Sequence, residues 1–256
     1  MKKELLALKK KIKQLNIDGY VIPKNDEFFG EYSENDRLKT ITNFTGSAGI
    51  AVILKNKNYL FLDGRYTIQG HIESGKNFKI VNYEKILNCN LFKNLILGVD
   101  PNLFTKGQIK KFFLKKNKVK YLKNNLVDEI KKNEKVINKP FYSLKKDITG
   151  ETHSSKIKRI SKYLIKNKSD FLFMSAPENV AWLLNIRGND NPTSPIPNCR
   201  LIISKFKKIY LISEKSKTQK LIKDKKIDPT QIIDPNNFEE IILKLNGKKF
   251  IIDNKT

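Results

Sequence analysis

Residues 48–64 read AGIAVILKNKNYLFLDG, and this stretch decides the fold of the first half of the chain. Two runs rich in β-branched and aromatic residues flank a polar turn at 55–58, a pattern typical of a β-hairpin. The stretch CRLIISKFKKIYLIS at 199–213 repeats the pattern. Because the chain has 256 residues and domains cluster near ~100–150, two hairpins predict two α/β domains.

The elements around both hairpins follow one order: helix, strand, loop, hairpin, helix, strand, helix and strand. Helices are predicted at 2–16, 66–73, 84–95 and 106–117, then from a cap at Ser154 or Ser155 to about 167, from Pro177, at 215–225 and at 236–246. Further strands are predicted at 18–23, 78–83, 97–100 and 119–123, then at 170–176, 231–234 and 249–253. The spacing of Thr105 and Gln108 predicts a capping box.

This order predicts an α/β fold of two tandem domains, each a mixed β-sheet flanked by helices. The first domain is expected at 1–138 and the second at 151–256. A polar linker is expected between them, at 139–150. The last residues, IIDNKT, follow directly on a predicted strand, which favours a truncated gene or a fragment over a finished protein.

The formal charge of +25 invites a nucleic-acid interpretation, but the kind of charge argues against it. Nearly all of it is lysine, spread over the whole chain together with many Asn and Ile residues, as a coding bias would produce. The arginines are Arg37, Arg65, Arg159, Arg187 and Arg200. A dedicated nucleic-acid binder would more usually offer arginine forks, or aromatic residues between basic ones.

Composition also indicates the compartment. No apolar run approaches the ~20 residues of a membrane span, and the charged N-terminus lacks the apolar core of a secretory signal. Cys89 and Cys199 lie far apart without metal-type spacing, so both are expected to be small buried hydrophobes. The sequence therefore predicts a cytoplasmic protein that does not enter the membrane.

No catalytic constellation can be assembled from the sequence. His71 and His153 belong to no zinc-binding pattern, and there is no P-loop or dinucleotide-binding glycine motif. Ser47 in GSAG resembles a nucleophile turn, but it precedes a hairpin strand and has no histidine near it in sequence. We expect no catalytic residue, no metal ligand and no cofactor in this chain.

Three dense motifs stand out, at residues 36–49, 63–69 and 182–197. Each contains an arginine, although the basic residues of this chain are mostly lysine. Asp36, Asp63 and Asp190 are available as arginine partners, and Arg37 or Arg65 is expected to brace the GSAG turn at 46–49. Glycines are expected where the backbone turns sharply or approaches closely, as at Gly188. The residues assigned a structural role are Asp36, Arg37, Phe44, Gly46, Ser47, Gly49, Asp63, Gly64, Arg65, Tyr66 and Trp182.

These motifs, in this order, resemble the N-terminal part of the Xaa-Pro aminopeptidases (aminopeptidase P), within the creatinase, prolidase and methionine-aminopeptidase superfamily. The resemblance covers nearly all of the chain. Its motifs are DGYVIPKNDEFFGEY (18–32), NDRLKTITNFTGSAGIAV (35–52), FLDGRYTIQ (61–69), GVDP (98–101), NLVD (125–128), ENVAWLLNIRGND (178–190) and IIDNKT (251–256). Each motif alone would be weak, whereas all of them in register are specific.

The resemblance implies a supporting role for this chain. Long members of the family carry two creatinase-N-like domains before a C-terminal domain. That domain binds two divalent metals, manganese or zinc, through two Asp, one His and two Glu ligands, and removes an N-terminal residue preceding proline through a metal-bridging hydroxide. No counterpart of those ligand motifs occurs here, so we expect a non-catalytic N-terminal half that is inactive alone.

The implied partners are the C-terminal catalytic domain and, in a homodimer, a second copy. The implied role is to support dimer contacts and the entrance to the active site. If any residues touch substrate, the resemblance points to the loop at 187–197, with Arg187, Gly188 and Asp190. Asn191 and the proline spacing after it depart from the commoner RGxD-Ile/Val-Pro pattern, which leaves the shape of this loop open.

Two other functions stay open on the sequence. A free-standing scaffold or interaction protein could be built from duplicated creatinase-N-like domains, and a lysine-rich chain could bind nucleic acid. Genomic sequence downstream of the chain separates the first from a fragment. Salt-dependent binding to duplex DNA would favour the second.

Overall fold

A computed structural model describes residues 2–30, 33–87, 90–131, 139–191 and 193–253. The chain divides into two compact units, with the boundary between residues 135 and 136, which lie outside the described residues. Cys89 also lies outside them. None of the described helices is long and apolar enough to cross a bilayer.

The first unit is built on a six-stranded mixed sheet. Its strands are β1 (Gly19–Pro23), β2 (Gly49–Leu54), β3 (Asn58–Leu62), β4 (Lys79–Asn82), β5 (Ile96–Val99) and β6 (Lys118–Tyr121), in the order β4-β3-β2-β1-β5-β6. The pairs β1–β2 and β2–β3 are antiparallel, whereas β3–β4, β1–β5 and β5–β6 are parallel. Its helices are α1 (Lys3–Gln14), α2 (Arg37–Thr42), α3 (Thr67–Ser74) and α4 (Lys106–Ile109), and α4 continues as a π-helix over Lys110–Leu114.

The second unit is built on a five-stranded mixed sheet and a short two-stranded one. Its strands are β7 (Tyr142–Ser143), β8 (Phe171–Met174), β9 (Ile186–Arg187), β10 (Arg200–Ser204), β11 (Ile209–Ile212), β12 (Ile232–Ile233) and β13 (Phe250–Ile251). The larger sheet has the order β12-β11-β10-β8-β13, and β7 pairs with β9. Its helices are α5 (Lys146–Thr149), α6 (His153–Lys166), α7 (Pro177–Leu184), α8 (Lys215–Lys223) and α9 (Phe238–Lys244).

The two larger sheets repeat one topology. Strands β8, β10, β11, β12 and β13 follow the order and the orientations of β1, β2, β3, β4 and β5. In each unit the first strand and the two strands of the hairpin are antiparallel neighbours, and the other strands of the larger sheet pair in parallel. The predicted α/β fold of two tandem mixed sheets flanked by helices is therefore confirmed.

Apolar side chains bury both faces of the first sheet. One face packs against α1, whose period of apolar residues places Leu5, Leu8 and Ile12 in the core. The other face packs against the segment 103–113, which contributes Leu103, Phe104, Ile109 and Phe113. Because both faces of the sheet are covered, the polar residues of the sequence motifs lie mainly in the loops at the ends of the strands.

The predicted helix at 84–95 is wrong. A single 3₁₀ turn forms at Tyr83–Ile86, where the Asn82 side chain accepts a hydrogen bond from the Glu84 backbone N–H. The described residues 90–95 are not helical, and Phe92 is buried against Tyr59 and Phe61. Burial of this aromatic ring outweighs the helical propensity of the segment.

Other local predictions differ in detail. The helix predicted at 106–117 is α-helical only to Ile109, and the helix α2 was not predicted. The cap of α6 is Thr152, whose hydroxyl accepts from the Ser155 backbone N–H, and neither Ser154 nor Ser155 is the cap. The capping box at Thr105 is confirmed. The predicted linker, 139–150, contains β7 and α5, and its bounds stay a prediction.

Candidate functional site

Arg37 ties three segments of the first unit together. It is the first residue of α2, and its side chain is 8% exposed. Its Nε and Nη2 donate to the two carboxylate oxygens of Asp128 at 2.9 and 2.8 Å, and Nη1 donates to Glu27 at 3.2 Å. Burial alone would lower the pKa of Arg37, but these hydrogen bonds and charges raise it above its ordinary value. The guanidinium is held as a fixed cation.

The sequence offered Asp36 and Asp63 as arginine partners in this half: Asp63 does pair with Arg65, but neither carboxylate binds Arg37. Asp36 instead pairs with Lys24, and its other oxygen accepts from the Lys39 backbone N–H at 2.9 Å, which caps α2. Arg37 reaches Asp128 in the NLVD motif, 91 positions away, and does not brace the GSAG turn. Partners so far apart in the chain leave no local signal in the sequence.

Asp26 organises the polar loop that follows β1. Its Oδ1 accepts hydrogen bonds from the backbone N–H groups of Phe28 at 2.9 Å and Gly30 at 2.8 Å. The residue is buried, and burial raises the pKa of its carboxyl above the ordinary value, although the two N–H groups oppose this. Sequence reasoning placed Asp26 in a loop and gave it no role.

The GSAG turn is held by aromatic and hydroxyl contacts. The Ser47 hydroxyl lies 2.8 Å from the phenol oxygen of Tyr66, and the ring of Tyr66 packs edge-on against Phe44 at 5.6 Å. Gly46 lies flat against Phe44, since a Cβ there would come within 2.2 Å of that ring. Ser47 therefore contacts a phenol, an arrangement that supports a turn and supplies no general base. Gly49 opens β2.

A second set of polar contacts joins this turn to α3. The backbone N–H and the hydroxyl of Thr45 donate to Glu73 at 2.8 and 2.7 Å, and Gln69 donates to the Thr45 hydroxyl at 2.8 Å. Burial opposes ionisation of Glu73, but the hydrogen bonds hold its pKa below the ordinary value. The carboxylate thus anchors the loop before the turn.

Asp63, Gly64, Arg65 and Tyr66 form the tight turn that leads into α3. Asp63 accepts from both the backbone N–H and the Nε of Arg65 at 2.9 Å, and these bonds hold the pKa of Asp63 below its ordinary value. The Arg65 side chain is 72% exposed, and its guanidinium lies 5.4 Å from the Tyr66 ring centroid. Gly64 faces open space, because a Cβ added to it would meet no atom within 4 Å, so close approach does not require glycine there.

In the second unit, the nearly buried side chain of Asp190 fixes the 187–197 loop through two hydrogen bonds. Its Oδ1 accepts from Lys217 Nζ at 2.8 Å, its Oδ2 accepts from the Asn198 backbone N–H at 2.7 Å, and both charged side chains are nearly buried. The sequence offered Asp190 as an arginine partner, and this was wrong. Arg187 donates to the carbonyl oxygen of Ile186 at 2.8 Å.

The same loop packs tightly at Gly188. Its backbone N–H donates to the Pro195 carbonyl at 3.2 Å. A Cβ at Gly188 would lie 2.8 Å from the Pro197 Cα and 3.0 Å from the Phe141 ring, so the predicted close approach is present. Of the three residues singled out in this loop, Arg187 is the one whose side chain is partly exposed and not bound to another side chain in these contacts.

Trp182 is one of the exposed aromatic residues of the second unit, with 47% of its surface accessible. Lys156 Nζ lies 4.5 Å from its ring centroid, and the guanidinium of Arg159 lies 5.6 Å from it. Lys156 is buried, which lowers its pKa, and it donates to the Trp182 carbonyl at 2.8 Å and to Asn185 Oδ1 at 2.6 Å. The sequence did not indicate that Lys156 packs under Trp182, because nothing in the local pattern distinguishes it from the many other lysines.

The metal ligands of long family members have no counterpart in the described part of the chain. No group of three or more His, Cys, Asp and Glu side chains lies close enough there to hold an ion. His153 lies near Lys226, and burial together with that charge lowers its pKa. Cys199 is buried, which raises the pKa of its thiol. Within the described residues, no set of side chains therefore fits the two metals that the resemblance implies.

Comparison with known families defines the class of this protein. Residues 5–128 and residues 131–256 each match the creatinase/prolidase N-terminal domain family. The two matches correspond to the two units, and together they take in nearly the whole chain. The chain therefore belongs to this family, with two such domains in tandem.

The relatives are Xaa-Pro aminopeptidases. The chain is 29% identical over 229 residues to a probable Xaa-Pro aminopeptidase P of Coprinopsis cinerea, which covers 83% of this chain and 37% of the relative. It is 28% identical over 242 residues to Xaa-Pro aminopeptidase 1 of Dictyostelium discoideum, covering 83% of this chain and 38% of the relative. The recognition of the N-terminal, two-domain portion of this family is thus confirmed.

Solved structures agree in fold. A cytosolic X-prolyl aminopeptidase of Caenorhabditis elegans with a di-nuclear active site superimposes with a TM-score of 0.81 at 22% identity, over 98% of this chain and 46% of that one. This chain therefore spans less than two fifths of the length of the curated relatives above and less than half of that solved enzyme.

Proposed function

We propose that this chain is the supporting, non-catalytic N-terminal part of a Xaa-Pro aminopeptidase. In this proposal a further domain binds the two metals and removes the N-terminal residue preceding proline. The observation that carries the proposal is the tandem match to N-terminal domains over the whole chain, set against relatives more than twice as long.

The geometry of the motifs supports a structural role for this part. Arg37, Asp36 and Asp190 use their charges on partners within their own unit, and Ser47 contacts a tyrosine. Groups that are satisfied in this way hold loops in place. Domains that shape the entrance to an active site need loops that are held rigidly in position.

Within the 187–197 loop, Arg187 is the residue we assign to the entrance. Asp190 is nearly buried and Gly188 packs on Pro197, so both shape the loop and neither offers a free polar group. Arg187 is partly exposed beside them. A guanidinium suits the carboxylate or carbonyl groups of a peptide.

The remaining parts of the proposal concern assembly and location. Dimer contacts in the assembled enzyme are assigned to this part together with the further domain. A cytoplasmic location is part of the proposal, and the likeness to an enzyme described as cytosolic supports it.

The test is an activity assay of the chain by itself. We expect the 256-residue chain to release no N-terminal residue from a Xaa-Pro peptide in the presence of added manganese, because the implied ligand set is missing from its described residues. The matched control is the same assay in chelator. Turnover that manganese supports and chelator abolishes would contradict the proposal.

A further inference from the structure

The helix α6 of the second unit presents a basic face to solvent. Its sequence, HSSKIKRISKYLIK at 153–166, contains no acidic residue. Lys158, Lys162 and Lys166 recur at every fourth position, so they form one exposed row with a rise of about 6 Å between successive members. In the described part of the chain no carboxylate forms an ion pair with any of the three. This basic row therefore offers three ammonium groups to anions.

Aromatic side chains flank the basic row. Arg159 and Tyr163 form the neighbouring row of α6, and Tyr163 is 52% exposed. The guanidinium of Arg159 lies 5.6 Å from the ring centroid of Trp182 on α7, which places that ring beside the same row. The fold thus brings an indole and a phenol next to a run of basic side chains, a combination typical of single-strand binding that the order of residues in the sequence did not show.

Trp182, the single tryptophan of the chain, is held from its inner side. Lys156 Nζ lies 4.5 Å from its ring centroid, and the same ammonium donates to the Trp182 carbonyl and to Asn185 Oδ1. Because Lys156 is only 3% exposed, it covers the side of the indole that faces the protein, and the rest of the ring remains accessible. A ring that is already immobilised loses little conformational entropy when a ligand stacks on it.

The corresponding helix of the first unit lacks this combination. α1 precedes β1 as α6 precedes β8, and it is also rich in lysine, with Lys3, Lys10 and Lys13 exposed. However, its sequence, KELLALKKKIKQ, contains Glu4 and no aromatic residue. A solvated helix face in this chain is therefore basic in either unit. What distinguishes α6 is the pair of exposed rings beside its charges.

We propose that the surface formed by α6 and Trp182 binds single-stranded nucleic acid. The basic row neutralises phosphates along the strand, and unpaired bases stack on the exposed indole of Trp182 and on the phenol of Tyr163. A duplex fits this surface less well, because the flat faces of its bases are already stacked on one another. An acidic protein segment would satisfy the cations but would leave the indole face without a stacking partner.

Binding at this surface is independent of the peptidase role proposed above. It uses side chains of α6 and α7 alone, and it requires neither metals nor a further domain. Trp182 was expected to have a structural role, and its packing on Lys156 fits that role. The exposed part of the same ring adds a place for a ligand.

The first test uses tryptophan fluorescence, which in the 256-residue chain comes from Trp182 alone. We expect an oligothymidylate of about 12 nucleotides to quench it saturably in about 50 mM salt, because a stacked base contacts the indole, and to bind more weakly as salt is raised. Polyglutamate of similar length carries negative charge without bases and should leave the fluorescence unchanged. No quenching by the oligonucleotide would overturn the proposed site. Equal quenching by polyglutamate would also overturn it and would indicate an acidic protein partner.

Fluorescence anisotropy of a labelled oligothymidylate separates stacking from charge. We expect Trp182→Ala to weaken binding at least about fivefold, and Lys162→Gln to reduce the slope of log affinity against log salt by about 0.7. The matched control is Lys10→Gln, which removes an exposed lysine of α1 and should change neither quantity. Equal effects of the two lysine substitutions would show that binding is spread over the whole basic surface, and would overturn the proposed site. Quenching in the unsubstituted chain decides the question if Trp182→Ala fails to fold.

Discussion

Arg37 links two polar segments of the first unit to the start of α2. Its planar fork bridges Asp128 and Glu27 while its own backbone starts α2. A lysine in its place would carry the same charge to one acceptor at a time, because an ammonium lacks the fixed geometry of the guanidinium. This geometry accounts for an arginine at this position in a chain whose basic residues are mostly lysine.

Replacing Arg37 with lysine should therefore destabilise the first unit. We expect Arg37→Lys to lower the free energy of unfolding by roughly 1–3 kcal/mol, between the values for an exposed pair and for a broken buried pair, because Arg37 is buried whereas Asp128 and Glu27 are partly exposed. Urea denaturation of the 256-residue chain measures it. Arg65→Lys is the control, with an exposed side chain and a change within about 0.5 kcal/mol. Equal effects of the two would contradict the role of Arg37.

Asp26 makes stability depend on pH. Burial raises the pKa of this carboxyl above the ordinary value of 3.8, so the folded state holds the proton more tightly than the unfolded state. The stability from this group is fully present below the unfolded pKa and is lost as pH rises through the folded pKa. At neutral pH, burial of the charged carboxylate lowers the free energy of unfolding, and its hydrogen bonds offset only part of that loss.

Asp26→Asn should remove that cost and keep the acceptor for Phe28 and Gly30. We expect the Tm of the variant, relative to the unsubstituted chain, to rise between about pH 3 and pH 7 and then stay level. Thermal unfolding across that range measures it, with Asp26→Ala as the variant that loses the acceptor. A relative Tm that falls as pH rises would show that the carboxylate is stabilised in the fold.

At the scale of elements, the GSAG turn and α3 act as one block. Tyr66 and Glu73 reach back from either end of α3 to Ser47 and Thr45. The block has no room on its inner side, because Gly46 lies against the fully buried ring of Phe44. Close packing of this kind makes the turn sensitive to one added methyl group.

Gly46→Ala should disturb this block, whereas Gly64→Ala should not. The added Cβ at Gly46 would meet the Phe44 ring, and we expect a loss of about 1–3 kcal/mol in the free energy of unfolding. At Gly64 the added Cβ meets nothing within 4 Å, so the expected change is near zero. Urea denaturation of both variants measures this. Similar losses at the two positions would mean that backbone freedom, and not packing, selects glycine.

Elements whose signals are local could be predicted from the sequence. The hairpins followed from two short β-rich runs around a polar turn, and the capping box followed from the spacing of Thr105 and Gln108. The helix predicted at 84–95 failed because Phe92 is drawn into a cluster with Tyr59 and Phe61, which lie far earlier in the chain. The pairs Arg37–Asp128 and Asp190–Lys217 were missed for the same reason, since their partners are distant in sequence.

At the scale of the whole molecule, the chain is one topology used twice. The order of predicted elements already showed the repeat, and the two sheets confirm it strand by strand. What the order could not show is how completely each unit is covered. That depends on tertiary packing: Val99, the last residue of β5, is fully buried, whereas Ile252, which follows β13, is 62% exposed. The repeat gives two units of one fold, and their described residues contain no group of side chains that could hold a metal ion.

The most direct test of this role is the mass and the activity of the natural polypeptide. Purified from its source, it should be well above the 29.7 kDa of these 256 residues and should release the N-terminal residue of a Xaa-Pro peptide in a chelator-sensitive manner. The 256-residue chain, assayed beside it, should be inactive. A natural polypeptide of 29.7 kDa, or a longer one that leaves Xaa-Pro peptides intact at saturating manganese, would contradict the role proposed for this chain.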